Sequence, residues 1–267
     1  MSCTRPSSAD SPESNTRRRY DLVAARSDRF AARRHQTGAA RRMNEIHPTA
    51  IIGPGVELGD GNIIGPYAVI LGPCVIGDDN WIGPFVAIGQ PPEHRDAPHR
   101  SWAAEPTGPG VTIGDRNVLH EFVVIQQGMD RATSLGNGCF LMDKSHLAHD
   151  CALGDGVTFA CSVMLAGNVT IGAGANLGLN AVVHQGRSVG TGAMVGMASV
   201  ITKDVPPFAI AYGSPARVNG INKVGLERAP MPPAMIEHIA SVFESASPEQ
   251  ISGLLSEEIA YYRSVRS

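Results

Sequence analysis

Beginning at Ile52, an aliphatic side chain recurs at every sixth residue: Ile52, Leu58, Ile64, Ile70, Ile76, Ile82 and Ile88, with Gly next in six of the seven cases. After a gap the period resumes at Ile113, Leu119 and Ile125. After a second it runs through twelve consecutive positions: Leu135, Leu141, Leu147, Leu153, Phe159, Leu165, Ile171, Leu177, Val183, Val189, Val195 and Ile201. A period of six suits neither a helix nor a plain alternating strand. It suits a short strand plus a turn, with the aliphatic pointing inward and Gly or Asn relieving the bend. Three such units close a triangular coil of 18 residues, so the sequence predicts an all-β parallel β-helix over residues 43–207. The 22 positions make about seven coils, roughly 34 Å of stacked strands. At roughly 1.5–3 kcal/mol for each buried aliphatic, the stack needs no bulky core. The low aromatic content of 5% and the 30 glycines agree with that.

What interrupts the period is also informative. Residues 89–111, "GQPPEHRDAPHRSWAAEPTGPGV", are polar, Pro-rich and too long for a plain turn, so they are expected to project as a functional loop. After Pro206-Pro207 the period stops. Residues 208–267 read as a linker and two short amphipathic helices capping the prism, with Ser247-Pro248-Glu249-Gln250 as a helix start. Residues 1–42 carry ten Arg against four carboxylates and little to bury. They are expected to be a disordered Arg/Ser-rich extension, with a transit peptide or a nucleic-acid-binding tail as the other readings of that composition. No apolar run is long enough to span a bilayer and no secretory signal is evident, which implies a cytoplasmic protein. Five cysteines without a CxxC pair suggest reduced packing residues rather than disulfides or a zinc knuckle.

The period also assigns directions. In "HLAHDC", residues 146–151, Leu147 points inward, so His146 and His149 face out. Positions 18 apart stack, which sets Gly167 beside His149 and His184-Gln185 one coil further along the same edge. A general base with Asp150 as its orienting carboxylate, a metal site and merely polar corner residues all remain open. A metal would need ligands within about 2.2 Å, whereas His149 and His184 are two coils, roughly 10 Å, apart. No P-loop, Rossmann fingerprint or nucleophile elbow offers a competing chemistry.

"HPTAIIGPGVELGDGNIIGPYAVI", "GDRNVLHEFVVI", "LMDKSHLAHDCALGDGV", "LAGNVTIG", "AVVHQ", "DVPPFAIAYG" and "NGINKVGLERA" together resemble the UDP-N-acetylglucosamine acyltransferases of lipid A synthesis, in order and spacing, over residues 43–228. The resemblance implies a left-handed parallel β-helix, a homotrimer with its active sites between subunits, and transfer of a fatty acyl group from acyl carrier protein to the 3-hydroxyl of a nucleotide sugar without a cofactor. It further implies His149 as general base, Asp150 as its orienter and the Gly167 N–H as oxyanion donor. His146, His184, Gln185, Asn222 and Arg228 would hold the nucleotide sugar, and Met197 would set the acyl chain length. Lys203, Arg217 and Lys223, with Arg228, form a basic cluster expected to dock the acidic carrier protein. The chain departs from the family pattern at the loop "QPPEHRDAPHR", which lacks lysine, and at Asn168, Val224 and Ala229. Two other functions fit a hexapeptide trimer: a CoA-dependent N-acetyltransferase of an amino nucleotide sugar, and a non-catalytic scaffold.

Overall fold

The computed structural model describes residues 42–97, 107–229 and 231–265. The expectations for residues 1–42 lie, apart from Arg42, outside the described residues. Arg42 itself pairs with Asp79.

Among the described residues are 25 short strands, from β1 (Glu45–Ile46) to β25 (Ala216–Ile221), followed by helices α1 (Lys223–Arg228), α2 (Pro233–Ser245), α3 (Pro248–Leu254) and α4 (Ser256–Ser264). Up to β23 every third strand joins the same sheet, which gives three sheets of ten, eight and seven strands, parallel throughout except that the last strand, β25, runs antiparallel to its neighbour. These form the three faces of a parallel β-helix, here called A, B and C in the order the chain visits them. Register partners lie 18 residues apart where no insertion intervenes, as in His146↔Met164 and Leu147↔Leu165. The periodic aliphatics from Ile64 onward are buried in one continuous core. One more coil is present than the period implies, because Ile46 in β1 starts the stack earlier and β24 (Ala209–Gly213) pairs with β22 (Met194–Val195) after it. The regular part therefore runs past residue 207 into the β24–β25 hairpin.

The corners are held by side chains as well as turns. At the corner between faces C and A, Asn80 N–H donates to Asn62 Oδ1, Asn117 N–H to Asn80 Oδ1 and Cys139 N–H to Asn117 Oδ1, each at 2.8–2.9 Å. Such a ladder satisfies backbone donors that a six-residue repeat leaves without sheet partners. Cys74, Cys139 and Cys151 are buried free thiols, and burial pushes Cys74 up to about 12, as expected of inert packing residues.

The C-terminal part carries three helices beyond α1 where two were expected. Ser247 N–H donates to Gln250 Oε1 at 3.1 Å, so the expected helix start is present at α3. These helices gather a second core around Phe208, Ile239, Leu255 and Tyr262. No helix among the described residues is long and apolar enough to cross a membrane.

Candidate active site

The chain turns from face B to face C between β14 (His146–Leu147) and β15 (Ala152–Leu153), and His149 and Asp150 occupy that corner. A tight corner in each coil puts one residue at positive φ, and Asp150 takes that place with φ +63°. Asp tolerates this region better than most residues because its short side chain bonds to nearby backbone. The Asp150 side chain is fully buried. Its Oδ2 lies 2.7 Å from His149 Nδ1. Its Oδ1 accepts three backbone N–H groups, from Met129 (3.1 Å), Asp130 (2.9 Å) and Arg131 (2.7 Å). Burial pushes the Asp150 pKa up, but the Arg131 N–H, the His149 ring and the Asp130 N–H outweigh it, so the carboxyl titrates below its ordinary value. An ionised Asp150 accepts a proton-bearing Nδ1 from His149, which leaves Nε2 as the lone-pair nitrogen.

Gly167 lies one coil on at the same corner. A Cβ built there would fall 2.6 Å from both Cε1 and Nε2 of His149, so the imidazole rests directly on the Gly167 backbone. The juxtaposition expected from the 18-residue spacing is present. Among the described residues the Gly167 N–H has no acceptor in the chain, while its neighbour Asn168 N–H donates to His149 O at 3.0 Å.

His149 faces out of the prism as expected, yet its side chain is only 12% exposed. The cover is the loop after β8 (Ala87–Gln90), which folds back along this edge. Glu93 N–H donates to Gln126 Oε1 at 3.2 Å, and the His94 ring meets the His149 ring edge-on with centroids 5.9 Å apart. Glu93 and His94 were not singled out from sequence, because a long insertion carries no period to say where its residues land. His146 lies in β14 on the outer side of face B. Burial lowers its pKa and the charge of Glu93 opposes that shift.

The other expected residues divide by corner. His184 and Gln185 follow β20 (Val182–Val183) at the His149 corner and are exposed. Met197 lies between β22 and β23 (Val200–Ile201), at the corner between faces A and B, and is 70% exposed. Asn222 caps α1: its Oδ1 accepts from Gly225 N–H at 3.0 Å and its Nδ2 donates to Gly192 O at 3.0 Å. Gly192 belongs to the corner between C and A, so Asn222 and the exposed Arg228 at the end of α1 do not meet His149 within one chain. Lys203 follows Gln185 one coil later and, with Arg187 and Arg217, lines a cavity of about 700 Å³ that also holds Asp204 and Glu249. Lys223, on α1, is not among the residues that line it. Among the described residues no three His, Cys, Asp or Glu side chains gather as a metal site.

The chain as a whole is similar to known proteins. Residues 204–258 match the family model described as Udp N-acetylglucosamine O-acyltransferase, domain 2, and residues 42–72 match bacterial transferase hexapeptide repeats. The acyl-[acyl-carrier-protein]--UDP-N-acetylglucosamine O-acyltransferase of Thiobacillus denitrificans is 41% identical over 207 residues, covering 70% of this chain and 78% of the relative. The enzyme of that name from Paracidovorax citrulli is 45% identical over 207 residues, covering 70% and 76%. Among solved structures, UDP-N-acetylglucosamine acyltransferase from Campylobacter jejuni superposes with a TM-score of 0.65 at 27% identity, over 80% of this chain and 88% of that one. A parallel β-helical chain this similar to those enzymes belongs to the UDP-N-acetylglucosamine O-acyltransferase family.

Proposed function

We propose that this acyltransferase moves a fatty acyl group from the thioester of acyl carrier protein to the 3-hydroxyl of UDP-N-acetylglucosamine or a close nucleotide sugar. The observation that carries the reading is the 2.7 Å bond between His149 Nδ1 and Asp150 Oδ2, which leaves Nε2 over Gly167 as a base. Nε2 takes the hydroxyl proton as the sugar oxygen attacks the thioester carbonyl. The Gly167 N–H donates to the oxyanion that forms, and the protonated His149 returns its proton to the departing thiolate. Base, orienter and donor all come from the chain, so the reaction as proposed calls for no metal or cofactor. In this proposal the protein works in the cytoplasm.

The active form in this proposal is a homotrimer. Its support is the outer side of face B, where Ile51, Val69, Ala87, Val124, Met164, Val182 and Val200 follow one another in register, with His146 the single polar member between Val124 and Met164. At the adjoining A/B corner the rings of Tyr67, Phe85 and Phe122 stack at 5.1 Å and stand about half exposed. An apolar face of this extent on a monomer marks a protein interface. A neighbouring copy would bring Met197, Asn222 and Arg228 toward His149. His146, His184 and Gln185 would then grip the sugar from this chain, and Arg228 the diphosphate from its neighbour. Lys203 and Arg217, beside the cavity three coils along the same edge, would receive the acidic carrier together with Lys223 on α1.

The test is mass spectrometry of products from UDP-N-acetylglucosamine incubated with acyl carrier protein donors of several chain lengths or with acetyl-CoA. Ester formation only from carrier donors is expected. Amide formation from acetyl-CoA on an amino nucleotide sugar would replace this reading with an N-acetyltransferase, and no transfer from any donor would favour a scaffold.

A further inference from the structure

The interval between Ile125 and Leu135 is four residues longer than the period allows, and the extra chain forms a turn between β11 (Val124–Gln126) and β12 (Thr133–Leu135) at the corner that carries His149. Nothing in the period calls for it, since the next coil closes the same corner, from Leu147 to Leu153, without one. The turn is anchored at its base by Gly128 N–H and Thr133 N–H, which both donate to Gly110 O, at 3.0 and 3.2 Å. Its tip then faces the buried side of Asp150. The three successive N–H groups of residues 129–131 converge on Asp150 Oδ1, and Thr133 Oγ1 accepts from Asp150 N–H at 2.9 Å. Arg131 Nε donates to Asp150 O at 2.9 Å, so the strained corner residue is held by backbone and side chain alike.

We propose that this turn is a positioning device for the His149–Asp150 pair and that Arg131 is a positioning residue in it, acting through Asp150 rather than on substrate. The argument is one of directions. A carboxylate can rotate and exchange its oxygens. Three donors on Oδ1 remove that freedom and leave Oδ2 for His149 Nδ1, whose bond in turn fixes which ring nitrogen carries the proton. Oriented backbone donors of this kind form a cradle that favours negative charge, and here they keep a fully buried carboxylate ionised. Gly128 makes the close turn possible. A Cβ there would lie 1.6 Å from Arg131 O and 3.1 Å from Asp150 Oδ1, so any side chain at 128 forces the cradle open. The groups that face the pair are His94 from the loop after β8, Asp130 and Arg131 from the turn, and Cys151 beside Asp150, whose thiol burial holds at about 11 and therefore neutral. Glu93 and His146 lie further along the edge.

This proposal rests on the acyl-transfer reading for its kinetic test, and a second measurement is independent of turnover. Arg131→Met is expected to lower kcat about 10-fold with both KM values within about twofold, because it loosens the base without touching substrate. Arg131→Lys, which keeps a donor, should recover part of the loss. An unchanged kcat for Arg131→Met, or a loss confined to KM, overturns the role of Arg131. The second measurement uses protein labelled with [15N]methionine, in which the Met129 amide reports the charge on Asp150 whether or not the protein acylates anything. In Gly128→Ala, and in Arg131→Met should that variant fail to fold, the pH midpoint of the Met129 signal is expected to rise by about one unit. An unchanged midpoint overturns the cradle. A wild-type protein without acyl transfer but with that shift would sink the acyl-transfer reading and uphold the cradle.

Discussion

Replacing Gly167 with alanine separates the geometry of the base from the stability of the fold. The added Cβ would lie 2.6 Å from His149 Cε1 and Nε2, against the roughly 3.4 Å at which such contacts become ordinary. The backbone at 167 is not at positive φ, so alanine itself is accommodated, and the least costly response is for the imidazole to swing away by about 1 Å. That movement lengthens the 2.7 Å Nδ1–Oδ2 bond beyond hydrogen-bonding range and carries Nε2 off the line of the acceptor hydroxyl. Misplacement on this scale costs about 100-fold in rate, which corresponds to about 2.7 kcal/mol of transition-state stabilisation. Stability should change by less than about 1 kcal/mol, since the ring moves toward solvent and the chain loses a flexible glycine. Steady-state kinetics and urea unfolding of Gly167→Ala measure the two quantities separately. The double variant His149→Ala/Gly167→Ala sharpens the test: with no ring to displace, it should be no slower than His149→Ala alone. Near-normal turnover in Gly167→Ala, or a double variant whose losses simply multiply, would refute the argument that Gly167 is small because His149 rests on it.

His149→Ala should lose about 10²–10⁴ in kcat with the fold retained, and overnight treatment with a chelator should leave wild-type turnover unchanged; a loss restored only by added zinc would bring back the metal reading. Because the folded pKa of Asp150 is depressed, its stabilisation is present above the ordinary carboxylate value and is lost as pH falls through the folded one. The gap in unfolding midpoint between wild type and Asp150→Asn should therefore be full near neutrality and narrow only in acid; a gap independent of pH would contradict that sign. Asn80→Ala should cost about 2–4 kcal/mol by urea unfolding, because it strands the buried Asn117 N–H and amide, with kcat unaffected in the folded fraction. Met197→Gly should shift the preferred acyl chain toward longer donors in a competition assay, and Arg217→Glu should raise the KM for the carrier donor in a salt-dependent way.

The fold was legible in the sequence because one constraint repeats. Each coil must bury one aliphatic per face, so Leu147 and Leu165 announce both their strand and their stacking partner, and the approach of Gly167 to His149 follows from the number 18 alone. The same reasoning stops where the period stops. Glu93 and His94 sit in an insertion whose path is decided by tertiary contacts such as Glu93 N–H to Gln126, and residues 128–131 sit in another. Both insertions land on the corner that holds His149, and that follows from their sequence positions. The first leaves the chain after Ile88 and the second after Ile125, two inward positions of face B, so each must cross the B-to-C edge before the next strand can form. An irregular length at that edge costs the prism little, because the sheets resume in register on the next face, as Thr133↔Val111 shows. A regular solenoid therefore admits new chemistry at its corners while its faces stay bound to the period. The clue in the sequence was the location of the two breaks in the count rather than any residue type within them, and it points to the same edge as the histidine motif.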